Sequence, residues 1–161
     1  MSDKSIGVAD YIEEAHQRWT KARDHSKDWR DSAKTDYDMA AGNQWSSEEI
    51  AYLEENLRPA ITMNRMGPVI DSVVGHQIAN RQEVTYIGRK QGEAQVNELL
   101  TGAYRWVADQ GGEEHEITDY FRDATICGMG WSETRISYDE DPDGKIFSGE
   151  RVSPLEMFWD P

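Results

Sequence analysis

The chain has 161 residues, and its 31 Asp and Glu residues against 17 Lys and Arg residues give a net charge of −14. This charge argues against a free-standing nucleic-acid-binding protein and against docking on an anionic membrane, because both require a surplus of basic residues. A single cysteine excludes an internal disulfide and a metal site built from several thiolates. No apolar run approaches the roughly 18 residues of a membrane span. Six Trp, seven Tyr and three Phe nevertheless supply apolar volume for a folded core.

A long amphipathic helix is predicted over residues 8–40, because apolar residues recur there at alternating steps of four and three. Only Ser26 interrupts the pattern. The apolar seam consists of Val8, Ile12, Ala15, Trp19, Ala22, Trp29 and Ala33. The helix cannot bury this narrow seam by itself, so we expect the seam to pack against a second helix, from this chain or a neighbouring one.

Two shorter helices are predicted next. Ser46 and Glu49 have the spacing of a capping box, which opens a helix that ends near Asn56. The following helix has Pro68 in its first turn, where proline is favoured, and ends near Asn80. Its predicted buried face consists of Val69, Ile70, Val73, Val74 and Ile78.

A strand and two more helices are predicted after that. Residues 84–87 favour a strand because all four are β-branched or aromatic. Residues 93–109 have apolar residues at helical spacing, and the pair Gly111-Gly112 ends that helix. The next helix is predicted to turn four side chains inward, those of Ile117, Tyr120, Phe121 and Ala124.

The last third of the chain predicts a hairpin. After Gly128 and Gly130 the apolar period changes from 3.6 to 2. Residues 131–138 and 145–152 are therefore predicted to be the two arms of an antiparallel hairpin. The predicted fold class is α+β, with several helices including the long amphipathic one at residues 8–40. A small antiparallel sheet with the C-terminal hairpin completes an α+β portion over residues 41–161.

One motif matches a calcium-binding template in full. Asp139, Asp141, Asp143 and Glu150, with Gly144 among them, have the spacing of an EF-hand loop. An EF-hand needs a helix on each side, however, whereas the flanking residues alternate like strands. An acidic hairpin turn explains the same residues without a metal. We therefore expect weak calcium binding at most, and we predict no catalytic or cofactor-binding residue and no cofactor.

The histidines and the cysteine favour structural roles. The four histidines are far apart and lack carboxylates at the spacing of a helical metal site: His16, His25, His76 and His115. Cys127 ends an apolar helical segment beside glycines, and no basic residue stands next to it to activate its thiol. We expect Cys127 to be a buried small apolar side chain.

Four segments in a shared order resemble the portal (head–tail connector) proteins of short-tailed bacteriophages. Residues 41–45, Ala-Gly-Asn-Gln-Trp, are similar to that family's G-x-Q-W turn after the long helix. Residues 58–75, which begin Arg-Pro-Ala-Ile-Thr-Met-Asn, are similar to its R-P-x-x-T-x-N segment and the helix that follows that segment. Residues 123–130 resemble its D-A-x-x-x-G-x-G junction, and residues 153–161 resemble its strand ending in Asp-Pro. Gln82 departs from the pattern, because we expect proline there in the family.

The resemblance implies that residues 1–161 are the N-terminal, wing-like portion of a longer portal protein. It implies a structural virion protein rather than an enzyme: a homo-oligomeric ring, usually a dodecamer, at the capsid vertex through which phage DNA is packaged and ejected. The implied partners are capsid and scaffolding proteins, with terminase and tail factors attaching through parts beyond this chain. DNA is implied to pass through the channel without sequence-specific binding, and no membrane is involved. The implied location is the virion, with assembly in the host cytoplasm.

Two alternatives of other classes stay open. The first is a calcium-binding regulatory module centred on residues 139–150, and the second is an acidic inhibitor that mimics DNA. Both would be complete small proteins. The chain instead stops just after Met157, Phe158 and Trp159, which favours a piece of a longer protein. Terminase and scaffolding genes beside this one would favour the portal interpretation.

Overall fold

The computed structural model describes residues 8–89, 94–139 and 142–160, and these residues form six α-helices and one antiparallel hairpin. The elements are α1 (Val8–His25), α2 (Lys27–Ala41), α3 (Ser47–Glu55), α4 (Met66–Ala79), α5 (Ala94–Gly111), α6 (Glu113–Cys127), β1 (Trp131–Ser137) and β2 (Lys145–Val152). A single 3-10 turn, Pro154–Glu156, follows β2. The predicted α+β class is confirmed. In the part of the chain that the structure describes, no helix has the length and apolar character needed to cross a membrane.

The predicted N-terminal helix covers the expected residues but is divided at Ser26. The Ser26 side chain is buried, and its hydroxyl donates to the Ala22 carbonyl at 2.7 Å. A serine that bonds the carbonyl four residues back bends a helix. Backbone hydrogen bonds continue across the bend, from Ser26 N–H to the Ala22 carbonyl and from Arg30 N–H to the Ser26 carbonyl. The residue that interrupts the apolar seam is therefore also the residue at which α1 and α2 meet.

The seam packs against two kinds of partner. As expected, helices cover part of it, because α2 packs on α4 and α6 and buries Ala33. The aromatic residues of the seam pack instead on the tail after β2. The ring centroids of Trp19 and Phe158 lie 6.0 Å apart, and those of Trp29 and Trp159 lie 5.4 Å apart. The tail therefore takes the place of a second helix along half of the seam.

The predicted buried face of α4 is wrong in three of its five positions. Ile70 and Val74 are buried, whereas Val69, Val73 and Ile78 are exposed. Among the described elements, α4 packs closely on α2 and α6, and the buried pair Ile70 and Val74 marks the part of the helix that is covered. The apolar period identifies a helix face, but it does not determine what covers that face.

The predicted strand at residues 84–87 is absent, since these residues have no regular secondary structure. The Tyr86 N–H donates to the Thr101 hydroxyl of α5 at 3.1 Å, so it bonds a helix side chain rather than a strand. Favourable residue types cannot make a strand without a neighbour to complete the hydrogen-bond ladder.

The predicted C-terminal hairpin is confirmed. β1 pairs with β2 from Trp131 opposite Val152 to Ser137 opposite Lys145, with an irregularity between Glu133 and Arg135. A two-stranded hairpin is marginally stable by itself. Here β2 packs on α5 and α6, and these helices supply the missing support.

Candidate functional site

A buried carboxylate joins three elements at the centre of the fold. Asp123 of α6 is only 3% exposed. Its carboxylate accepts a hydrogen bond from the Tyr37 hydroxyl of α2 at 2.7 Å. It also accepts two from the Arg151 guanidinium of β2, at 2.5 and 3.0 Å. A two-point contact with arginine offsets the penalty for burying a charge. The Asp123 network therefore fixes α2, α6 and β2 relative to one another.

The Asp123 network shifts the pKa of its partners in the direction that preserves it. Burial, with the hydrogen bond to Asp123, raises the pKa of Tyr37 far above its usual value. The hydrogen bond to Asp123 also raises the pKa of Arg151. Tyr37 is therefore a neutral donor and Arg151 a cation at every physiological pH. Groups that neither gain nor release a proton near neutrality suit a structural joint better than acid–base catalysis.

Sequence reasoning identified only one member of the Asp123 network. Asp123 belongs to the segment that resembles the D-A-x-x-x-G-x-G junction. No pattern in the sequence marks Tyr37 or Arg151 as its partners. They lie 86 and 28 residues from Asp123 in sequence. The one available signal was the position of Asp123 on the apolar side of a predicted helix, where a carboxylate needs a partner.

The glycines after Asp123 serve the turn from α6 into β1. A Cβ at Gly130 would overlap the carbonyl oxygen of Tyr120, so only glycine fits there. Gly128 ends α6 in the left-handed conformation, with φ of 81°. Cys127 is buried, as expected, and its Sγ lies 3.2 Å from the Asp123 carbonyl oxygen. The segment is therefore a close-packed joint between helix and strand.

Asn64 connects two of the other sequence segments. Its side-chain amide donates to the Ala40 carbonyl in the last turn of α2 at 2.9 Å. Its side-chain oxygen accepts from the N–H groups of Met66 and Gly67 at 3.0 and 3.1 Å, where α4 begins. Gly42, with φ of 91°, ends α2 directly against the Asn64 side chain. The Gly-x-Gln-Trp turn and the segment ending at Asn64 thus form one corner of the fold.

The acidic residues of the EF-hand-like segment have other partners. Asp141 lies outside the described residues. Glu150 accepts a hydrogen bond from Arg135 Nε at 2.9 Å across the hairpin, and Asp139 accepts one from the Ser137 hydroxyl at 3.1 Å. Strand β2 stands where an EF-hand has its exiting helix. Within residues 8–89, 94–139 and 142–160, no three His, Cys, Asp or Glu residues form a cluster that could hold a metal ion.

A shallow cleft beside α5 and α6 contains a second tyrosine–carboxylate pair. The Tyr104 hydroxyl donates to Glu113 at 3.0 Å. Burial, with this hydrogen bond, raises the pKa of Tyr104, so the phenol stays protonated at neutral pH. The cleft measures about 190 Å³, whereas small-molecule sites span roughly 300–1,000 Å³. The pair favours packing over the binding of a cofactor.

The surface is the other prominent feature of the chain. The chain exposes 12834 Å², compared with about 8,200 Å² expected for a compact monomer of 18.4 kDa. Helix α5 illustrates the difference, because its most apolar stripe faces outward. The exposed members of that stripe are Val96, Leu99, Leu100 and Trp106. A helix that exposes its apolar stripe is typical of a protein in which another subunit or another part of the chain covers that stripe.

Comparison with known proteins gives one family. The sequence model of that family, described as phage P22-like portal protein, matches residues 16–161. The matched range includes Gly42, Asn64 and the Asp123 network, and thus every residue described above as a joint of the fold. No curated protein matches the chain.

Proposed function

The chain belongs to the P22-like family of phage portal proteins, and on that premise we propose that it forms the outer, wing-like portion of a ring-shaped portal. Portal proteins are structural components of the virion capsid and serve as head–tail connectors, not as enzymes. In this proposal the full-length protein assembles at one capsid vertex as a homo-oligomeric ring, usually a dodecamer. Phage DNA is packaged and later ejected through the ring.

The family match over residues 16–161 is the observation that carries the proposal. The uncovered apolar surface supports it, because a subunit of a ring leaves exposed the faces that other subunits and other parts of the protein cover. The Asp123 network supports a structural role in the same way. It fixes the geometry of a subunit rather than the geometry of a reaction.

The net charge of −14 is no objection to a ring that DNA passes through without sequence-specific binding. Phosphate contacts from Lys and Arg would hold the DNA in place, whereas an acidic surface repels it and lets it slide. Capsid and scaffolding proteins are the partners we propose for this portion. Terminase and tail factors would attach through other parts of the protein, and terminase would supply the energy for packaging.

Electron microscopy of the full-length protein tests the proposal. We expect rings with a central hole, formed by the purified protein without nucleic acid. A full-length protein that stays monomeric at high concentration would contradict the portal function. The genes beside this one give a second, independent test, because terminase and scaffolding genes should be its neighbours.

The calcium-binding module and the acidic DNA mimic are weaker explanations of the same chain. Neither explains why α5 presents its apolar stripe to solvent. In the hairpin, Glu150 is paired with Arg135, and the site proposed for calcium would have to break that pair.

A further inference from the structure

Residues 43–61, called the α3 arm here, consist of α3 and the residues on either side of it. No other described helix or strand covers this segment. Every residue of the α3 arm except Leu53 is exposed, and no close packing of another described helix or strand on α3 is present. A capping box between Ser46 and Glu49 stabilises the start of α3. Nine residues are still too few for a stable isolated helix in water, which needs about 12–15. We therefore expect the α3 arm to pack on a surface outside the described residues of its own chain.

The α3 arm exposes the large apolar side chain of Leu57 to solvent. Leu57 follows α3 in the left-handed conformation, with φ of 54°, which L side chains rarely adopt. Glycine is the usual residue at this position of a helix end. Leu57 is also 93% exposed, so no burial within the described chain compensates for the strain. An exposed leucine held in this way is suited to be the anchor of a contact.

The α3 arm is acidic as well as apolar. It contains Glu48, Glu49, Glu54 and Glu55 against one basic residue, Arg58. Three large apolar side chains of the arm, those of Tyr52, Leu57 and Ile61, are more than 60% exposed. The complementary surface is therefore basic, with an apolar part.

One such surface exists on the same chain. Residues 18–34 contain six of the 17 basic residues of the chain and only three acidic ones. The basic residues are Arg18, Lys21, Arg23, Lys27, Arg30 and Lys34. Four of them line an open groove of about 530 Å³ along α1 and α2, called the basic groove here, together with Asp24, Asp31, Leu155 and Phe158. The Arg30 guanidinium lies 4.1 Å from the centroid of the Phe158 ring, so the groove has an apolar part next to its charges.

We propose that the α3 arm of one subunit docks in the basic groove of the neighbouring subunit. The contact rests on the proposed ring, since a contact between two different surfaces of identical chains closes into a ring when the rotation permits. The arm does not occupy the groove of its own chain, because its side chains are exposed. In a chain with a net charge of −14, the basic groove is where an acidic arm meets attraction instead of repulsion.

Charge reversal in the full-length protein tests the contact. The groove variant combines Lys27→Glu with Lys34→Glu, and the arm variant combines Glu54→Lys with Glu55→Lys. We expect each variant to raise the protein concentration needed for ring formation by at least about tenfold, because like charges then face each other across the contact. The protein with all four changes should assemble within about threefold of the wild type, since its charges are again opposite. Mass photometry over a concentration series gives these values.

A matched control combines Arg89→Glu with Asp119→Lys, which reverses exposed charges outside the arm, the basic residues 18–34 and helix α5. This control should assemble like the wild type. Equal assembly of all variants would overturn the arm–groove contact and leave the portal function intact. A fourfold variant that assembles as poorly as the groove variant or the arm variant would also overturn the arm–groove contact. A wild-type protein that forms no ring would contradict the proposed function itself.

Cross-linking provides a readout that does not depend on affinity. Glu54→Cys and Lys27→Cys in one full-length chain place a thiol on the arm and another in the groove, while Cys127 stays buried. Oxidation of assembled rings should produce a ladder of covalent multimers. The pair Glu98→Cys and Lys27→Cys is the control and should give no ladder. A cross-link within single chains would overturn the proposal, because it would place the arm on its own groove.

Discussion

The Asp123 carboxylate accepts hydrogen bonds from the Arg151 guanidinium and the Tyr37 hydroxyl, and its removal takes this charged acceptor from both. We expect Asp123→Ala to lower the free energy of unfolding by about 2–4 kcal/mol. The loss stays below that of a fully buried pair, since water reaches the partly exposed Arg151 side chain. Chemical denaturation measures the loss. Asp119→Ala, an exposed change on the same helix, should stay within about 0.5 kcal/mol of the wild type.

Tyr37 makes the stability depend on pH in the alkaline range. An unfolded tyrosine ionises near pH 10, whereas burial raises the pKa of Tyr37 well above that in the folded chain. The contribution of Tyr37 is therefore fully present below pH 10 and falls as the pH rises further, because only the unfolded state then loses the proton. Between pH 9 and roughly 11, the wild type should lose more stability than Tyr37→Phe. Parallel stability curves for the two proteins would contradict this account.

At the scale of residues, the sequence predicted which residues are buried or belong to a motif better than it predicted which side chains bond to each other. Cys127 is buried as expected, and Asp123 was already part of a recognised segment. The partners of Asp123 come from distant elements, and no local pattern indicates which helix will meet which strand. Glu150 shows the same principle, because a template spacing suggested an ion as its partner and the structure pairs it with Arg135.

The hairpin gives a prediction for calcium at the scale of elements. An extended strand rises about 3.3 Å per residue, so β2 directs Glu150 away from the turn instead of back towards an ion. We expect at most weak, salt-sensitive binding by exposed carboxylates. Calorimetric titration of the chelator-treated protein measures it, with Glu133→Gln as a control on the opposite strand. Micromolar affinity that disappears in Glu150→Gln would show a true calcium site.

A change at Leu57, just after α3, is predicted to affect stability and ring assembly in opposite directions. Leu57→Gly relieves a left-handed conformation that costs an L-residue about 1–2 kcal/mol, although the freer unfolded chain offsets part of the gain. We expect the free energy of unfolding to stay unchanged or to rise by up to about 1 kcal/mol. Ring assembly should weaken in the same variant, because the anchor side chain is lost. Leu57→Asn should behave alike, since asparagine also tolerates this conformation.

A fall in stability after Leu57→Gly would contradict both the strain and the exposure of Leu57. Normal assembly of the variant would remove Leu57 from the contact. The two measurements, denaturation and ring formation, therefore have to be made on the same preparation.

Elements were predictable where the deciding forces are local. The capping box of α3 and the glycines after α2, α5 and α6 act within a few residues, and the helix bounds follow them closely. The prediction of a strand at residues 84–87 was wrong because a strand depends on a neighbouring strand to complete its hydrogen bonds. The predicted buried face of α4 was wrong for a related reason, since the sequence period does not reveal that of its five positions only Ile70 and Val74 are buried.

For the whole molecule, we expect the isolated 161-residue chain to be a monomer or a weak low-order oligomer. In the proposed portal, most of the ring interface lies in other parts of the protein. Mutual repulsion at a net charge of −14 also opposes association at low salt. Light scattering over a range of protein and salt concentrations measures the mass. A stable dodecamer of this chain would show that the assembly surfaces lie within residues 1–161.

The contact between Trp29 and Trp159 has a consequence for the order of events during synthesis. The two rings lie 5.4 Å apart in the folded chain but about 130 residues apart in sequence. At roughly 5–20 residues per second, the ribosome delivers Trp159 on the order of 10 s after Trp29. During that interval the aromatic side of α1 and α2 has no partner from the tail. The nascent chain is therefore most exposed to premature association with other nascent chains at its first helices, and a slower translation rate should lengthen that exposure.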